Sequence, residues 1–203
     1  MYPEALGWAA ALFGASGALP QVIRFFQTKT TAGVSAFAWQ TALGAYIAWT
    51  CHGLISGHAN VWLPNVLLFL CSLTILSQLR RDRSLPFLAL VAPGVLLGVA
   101  TVALDLGLGP VAFAIAAFLP SGVSQLAQLR DLMLTSNIRG VSMPFLVLNV
   151  VNQTLWVTWA MMVGEVSVML VGTSLGSLMV LNLVWGVLRH RGWVRARLAL
   201  LSS

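Results

Sequence analysis

Charge is scarce in this chain: 203 residues include 11 Lys and Arg and 5 Asp and Glu, so 8% of the sequence is charged. A soluble domain carries about 25% charged residues to face water, and a chain this poor in them cannot hydrate its outer surface. Most soluble folds are thereby excluded. Cysteine is scarcer still. Cys51 and Cys71 both fall in apolar stretches, where a thiol behaves as a small hydrophobe, and no disulfide framework is implied. The opening segment, MYPEALGW, has no basic run and carries an acid at Glu4. That argues against a cleaved signal peptide, so the first apolar stretch is expected to stay as a helix. The 3 histidines, His52, His58 and His190, are dispersed. With no ligand cluster, acid pair or activated nucleophile in view, the chain reads as a non-enzyme without cofactor or metal.

What fills the chain is apolar: 59% of residues are hydrophobic and the mean hydropathy is +0.90. A hydrocarbon core of about 30 Å takes about 20 apolar residues per helix. Long apolar runs broken by polar clusters predict seven spans, near residues 6–26, 36–57, 60–79, 86–105, 109–130, 143–163 and 165–188. Threaded in zigzag order, these spans put Arg24, Lys29, Arg80, Arg81, Arg83, Arg130, Arg139, Arg189, Arg191, Arg195 and Arg197 on one face. The other face receives Glu4, His58, Asp105 and Glu165. The positive-inside rule then predicts the N-terminus outside and the C-terminus in the cytoplasm of a multi-pass protein, with the bacterial plasma membrane as the expected location. Basic residues spread over four segments in this way report topology, and no nucleic-acid partner is expected. Trp8, Trp39, Trp62, Trp185 and Trp193 sit near span ends, the level that Trp prefers, whereas Trp49, Trp156 and Trp159 lie further in.

Shifting the sequence by 107 residues superposes Gly33-Val34-Ser35 on Gly140-Val141-Ser142, Trp49 on Trp156, Gly57 on Gly164 and Gln21 on Gln128. Sixteen positions are identical over residues 5–80, against roughly six expected by chance in so Ala-, Leu- and Val-rich a chain, which points to duplication. Helices one to three match helices five to seven. Three spans cannot return a chain to its starting side, so the unmatched fourth helix lets the second triplet enter the membrane in the same direction as the first. The predicted fold is an all-α polytopic membrane protein of seven helices, two parallel three-helix bundles joined by a linker helix. Its parts are a first bundle at 1–83, the linker at 84–107, a second bundle at 108–190 and a cytoplasmic tail at 191–203. Parallel repeats of this kind flank a binding site near the bilayer midplane in transporters.

Leu19-Pro20-Gln21 near the end of helix one, the Gly-Val-Ser loops, Met143-Pro144-Phe145 opening helix six and the three-plus-one-plus-three plan together resemble the PQ-loop superfamily. Within it, the chain is most similar to SWEET sugar transporters and their three-helix relatives, the SemiSWEETs. The resemblance implies a sugar held between Trp and Asn residues of the second and third helices of each triplet, and Trp49 and Asn65 match that pair. The chemistry agrees, since a pyranose offers an apolar face to an indole and a rim of hydroxyls to an amide that both donates and accepts. In the second half Trp156 repeats Trp49, with Asn149 and Asn152 on the same helical stripe. Gly172 stands where Asn65 would repeat, followed by Thr173, and Asn152 is expected to supply the amide instead. Gly172 and Gly176 also form a small-xxx-small pattern that reads as close helix packing.

The resemblance further implies prolines on the cytoplasmic halves of the first two helices of each triplet. Pro20 and Pro144 match, while Phe37 and Ala127 occupy the other two positions. Pro20, interior to its helix, is a candidate hinge, Pro144 is expected beside it near the cytoplasmic closure as a gating residue, and Gln21 and Gln128 are candidates to bond backbone freed near such kinks. Coupled transport normally needs a carboxylate or histidine within the membrane. Asp105 falls at the end of the linker helix, and His52, one turn beyond Trp49, reads first as a hydrated interfacial histidine. The sequence therefore predicts facilitated diffusion of a small solute, a mono- or disaccharide, by alternating access. Two alternatives stay open: a PQ-loop carrier of amino acids or another small polar solute, and a receptor or assembly factor on the same scaffold. The expected partners are the solute and the lipid bilayer, and a homo-oligomer is compatible with the plan.

Overall fold

A computed structural model of the protein describes residues 2–194 apart from 29, 30, 32, 33, 136, 139 and 140, and at 16–22, 24–26 and 28 it describes the backbone alone. Lys29, Gly33, Arg139, Gly140, Arg195 and Arg197 thus lie outside the described residues. Among the described residues the chain forms seven helices and no strand: α1 (Pro3–Thr28), α2 (Ala36–Ser56), α3 (Ala59–Arg83), α4 (Phe87–Leu108), α5 (Pro110–Leu134), α6 (Met143–Val163) and α7 (Val166–His190). Five of them, α3 to α7, are long and apolar enough to cross a membrane. The protein is an all-α polytopic membrane protein, as its composition requires.

The 107-residue period reappears in the element boundaries. The first and last residues of α2 and of α6 are one period apart, and so are those of α3 and α7. The caps that set these limits repeat too. Ser35 accepts a hydrogen bond from the Ala38 N–H at 3.2 Å, and Ser142 accepts one from the Phe145 N–H at 3.3 Å. Each satisfies a donor that the first helical turn leaves unpaired. At the other end Gly57 and Gly164 close α2 and α6 at φ 77° and 75°, a left-handed conformation that a residue without Cβ adopts at little cost.

The chain divides into two compact units, Met1–Ala117 and Phe118–Ser203. In the first, α2 is the central helix, packed along both α3 and α4, while α1 lies against α3. A bilayer gives helices no hydrophobic drive to associate, so close fit must hold them together. The α2–α4 fit is very close. A Cβ placed on Gly94 would stand 2.4 Å from the Gln40 carbonyl, one on Gly44 2.7 Å from the Gly94 carbonyl, and one on Gly98 2.7 Å from Ile47. The helix expected to act as a linker is thereby built into the first unit. Leu43, Ile75, Leu76, Leu79 and Leu90 form the buried cluster beside this seam. In the second unit α6 packs on α7, with Gly172 so close that an added Cβ would meet Val157 at 2.8 Å. The small-xxx-small reading of α7 therefore describes a real close approach.

Candidate solute site and its buried ion pair

Along α4 the buried positions are Leu90, Gly94, Gly98 and Thr101, and the next place on that stripe is Asp105. The facing stripe on α2 runs Gly44, Ala48, His52, all buried. Contacts pair Gly44 with Gly94 and Ile47 with Gly98, so the helices run parallel and their next meeting is between His52 and Asp105. There the imidazole Nδ1 lies 2.7 Å from a carboxylate oxygen of Asp105, with the two side chains 5% and 6% exposed. This corrects the reading of His52 as a hydrated interfacial residue. It also removes the ground for excluding a buried carboxylate. The signal was present in the sequence: the small-residue stripe of α4 ends on an acid at helical spacing.

The pair is enclosed by rings. Phe113, in the first turn of α5, stacks on the His52 imidazole with centroids 4.2 Å apart and planes 14° from parallel. Trp49 stands edge-on to both, 5.8 Å from His52 and 5.0 Å from Phe113. Phe113 was not singled out by sequence reasoning, because one aromatic in an apolar run carries no signal of its own.

Asn65 lies on α3 at the level of Trp49. A Cβ on Gly53 would meet the backbone nitrogen of Trp62 at 2.7 Å, which fixes where the antiparallel helices α2 and α3 touch. Trp49 is four residues before that point and Asn65 three residues after it, each about one turn, or roughly 5 Å, along its helix. The Asn65 amide donates to the Val61 carbonyl at 2.7 Å, next to Pro64, which cannot make its own bond to the preceding turn. Its oxygen is left to accept.

In the second unit Asn149, Asn152 and Trp156 are half-buried. The Asn152 side-chain oxygen is buried without a hydrogen-bond partner among the described residues. Trp156 stands edge-on to Trp159 at 5.6 Å and 84°. Thr173 is exposed and its hydroxyl donates to the Met169 carbonyl at 2.7 Å, so its polar atom is used within α7. Sequence reasoning also missed Asn182. It is fully buried and donates to the backbone and side-chain oxygens of Gln125 at 3.0 and 3.2 Å, a polar link from α7 to α5.

Of the expected hinge residues, Pro20 and Gln21 lie within α1 where side chains are outside the described residues. Gln128 is half-buried on α5. Pro144 is in the first turn of α6, where backbone N–H groups have no intrahelical partner, so it breaks no bond and starts the helix. Pro64, Pro93 and Pro120 also lie inside helices, in α3, α4 and α5. At the basic ends, each third helix of a repeat holds its first loop. Asp82 of α3 accepts from the Thr31 hydroxyl at 2.7 Å, and Arg83 donates to the Val34 carbonyl at 2.6 Å. One period later, Arg189 of α7 donates to the carbonyls of Leu132 and Thr135, both at 2.7 Å. The clasp is kept while its chemistry changes from acceptor to donor.

A comparison with curated proteins finds no match to the chain. Residues 2–59, which comprise α1, its Pro20-Gln21 dipeptide, α2 and the turn into α3, match the family model of the PQ loop repeat.

Proposed function

We propose that this protein is a SWEET-like membrane transporter that moves a small polar solute, a mono- or disaccharide, by alternating access. The observation that carries the proposal is the recurrence, one period apart, of a half-buried Trp with amides at hand: Trp49 level with Asn65, and Trp156 on a stripe with Asn149 and Asn152, whose oxygen is an unused acceptor. An indole face and an amide that both donates and accepts suit a sugar ring. The PQ loop repeat match over residues 2–59 supports the same reading.

Asp105 also gives weight to a second solute class. A carrier of amino acids can use a buried carboxylate to meet a solute's ammonium group, and the first unit has one. Counterflow in proteoliposomes with labelled mono- and disaccharides, run beside labelled neutral amino acids, separates the two. Sugar exchange that is lost in Trp49→Ala supports the proposal. Exchange of amino acids and of no sugar overturns it, and absence of any exchange favours a receptor or assembly factor.

A further inference from the structure

We propose that His52 and Asp105 form a proton-binding site coupled to Trp49, so that solute crosses together with a proton; this rests on the transport reading above. The inference starts from a comparison of the two repeats. One period after His52 stands Trp159, and it meets Trp156 in the geometry in which His52 meets Trp49: centroids 5.6 against 5.8 Å, planes at 84° against 85°. Trp159 is 1% exposed. A neutral indole therefore fills this place, edge-on to the inner Trp, without any charge. The packing does not require a titratable ring at position 52, and the first repeat has one that is matched to a carboxylate.

The pair has a charge balance that depends on one proton. With the proton on the imidazole, His52 and Asp105 sum to zero. Remove it and a carboxylate is left in a site where the side chains are 5% and 6% exposed, an arrangement that a low-dielectric interior disfavours strongly. The site can stay closed and dry with its proton, and releasing the proton demands water. Phe113 covers one face of the imidazole at 4.2 Å and Trp49 closes its edge. Displacing either ring would open the imidazole to water, and Trp49 is the one on which solute is proposed to rest. Proton exchange and solute exchange thus share a moving part.

The surroundings offer few other charges. Of the elements packed on α2, α4 has Asp105 as its charged residue, and α3 has Arg80, Arg81, Asp82 and Arg83 at its opposite end, with Cys71 midway. The stretch of α5 within the first unit has no ionisable side chain, α2 itself adds Tyr46 and Cys51, and His58 stands in the turn between α2 and α3.

Two measurements on the full-length purified chain test the proposal. The first needs no solute. A protonated imidazole quenches a neighbouring indole, so wild-type tryptophan emission is expected to rise as the pH is raised, with the rise abolished in His52→Gln and in Trp49→Phe. In Asp105→Asn, where the imidazolium loses its counter-ion, the midpoint is expected to fall by about one pH unit or more. No titration in the wild type, or a titration unmoved by all three substitutions, overturns the proton site. The second measurement uses the labelled sugar that gives the strongest counterflow. An imposed inward proton gradient should concentrate that sugar several-fold in wild-type proteoliposomes, and in Asp105→Asn the gradient-driven accumulation, scaled to the counterflow measured for the same variant, should fall to simple equilibration. Sugar that only equilibrates in the wild type, or accumulates equally in Asp105→Asn, overturns the coupling. Absence of counterflow from every preparation condemns the transport reading separately, and the fluorescence titration still decides whether the pair binds a proton.

Discussion

The indole of Trp49 stands edge-on to the His52 imidazole, with 5.8 Å between centroids and 85° between planes. The two residues are three apart on α2, so helical spacing alone makes them neighbours. What helical spacing does not supply is Phe113, which reaches the same rings from α5. Rotation of Trp49 is therefore limited by a residue that follows the left-handed Gly109 at φ 83°, at the junction of α4 and α5.

Substitution at Trp49 should show whether this ring contacts solute. Trp49→Ala is expected to weaken solute binding by on the order of 1 to 2 kcal/mol, roughly tenfold in Kd. Asn65→Ala should cost a similar amount, because it removes the amide that would meet the solute's hydroxyls. Trp62→Ala should leave affinity unchanged, since the α2–α3 contact at Gly53 is made by the backbone and Cβ of residue 62, which Ala retains. Equilibrium binding of labelled sugar to variants of normal abundance checks the ranking, and equal effects at positions 49 and 62 would refute it.

The seam between α2 and α4 should be intolerant of bulk. Gly94→Ala sets a methyl 2.4 Å from the Gln40 carbonyl, so two helix backbones must move apart, with an expected loss of about 1 to 3 kcal/mol. Gly107, on the same helix, meets nothing within 4 Å, and Gly107→Ala should be neutral or slightly stabilising. Thermal unfolding in detergent measures both. Because the seam leads directly to Asp105, Gly94→Ala should also disturb the His52 titration, which Gly107→Ala should not.

Much of this architecture is legible in the residues themselves. Apolar runs mark the helices, and Ser35, Ser142, Gly57 and Gly164 mark their ends because capping depends on local chemistry. Gly172 reads as a packing residue for the same reason: its missing side chain has a local geometric meaning. The His52–Asp105 pair was hidden because its partners lie 53 residues apart, on helices that only tertiary packing brings together. Asp105, near the end of an apolar run, looks like a boundary residue until the stripe Gly94, Gly98, Thr101 is followed to it. Asn182 was missed for a related reason, since one Asn in an apolar helix does not announce Gln125 as its partner. Pro144 is read in the sequence as opening α6, and in the first turn of that helix it leaves no backbone bond to break.

We propose from charge that the N-terminus is outside and the C-terminus in the cytoplasm, and this can be tested independently of transport. All 11 Lys and Arg fall on one side of the zigzag that seven spans impose, and moving any one of these segments outward opposes the positive-inside bias. A tag placed after Ser203 should resist external protease in intact cells and become cleavable on lysis. Cleavage without lysis would reverse the orientation.

The clasps at the basic ends make the last prediction. Arg189 is partly buried and gives two charge-assisted hydrogen bonds, to Leu132 and Thr135, holding the end of α7 to the exit of α5. Such bonds are worth roughly 1.5 to 3 kcal/mol each where charge is involved, and water at this helix end will replace part of what is lost. Arg189→Met should therefore destabilise the chain by about 1 to 3 kcal/mol, and Arg189→Lys should recover less than half, because an ammonium cannot span two carbonyls as a guanidinium fork does. The corresponding change in the first repeat, Asp82→Asn, keeps an acceptor for the Thr31 hydroxyl and should be milder. Thermal unfolding of the three variants in one detergent ranks them. If Asp82→Asn proves the most damaging, the first clasp depends on carboxylate charge, and the two clasps do not do the same work.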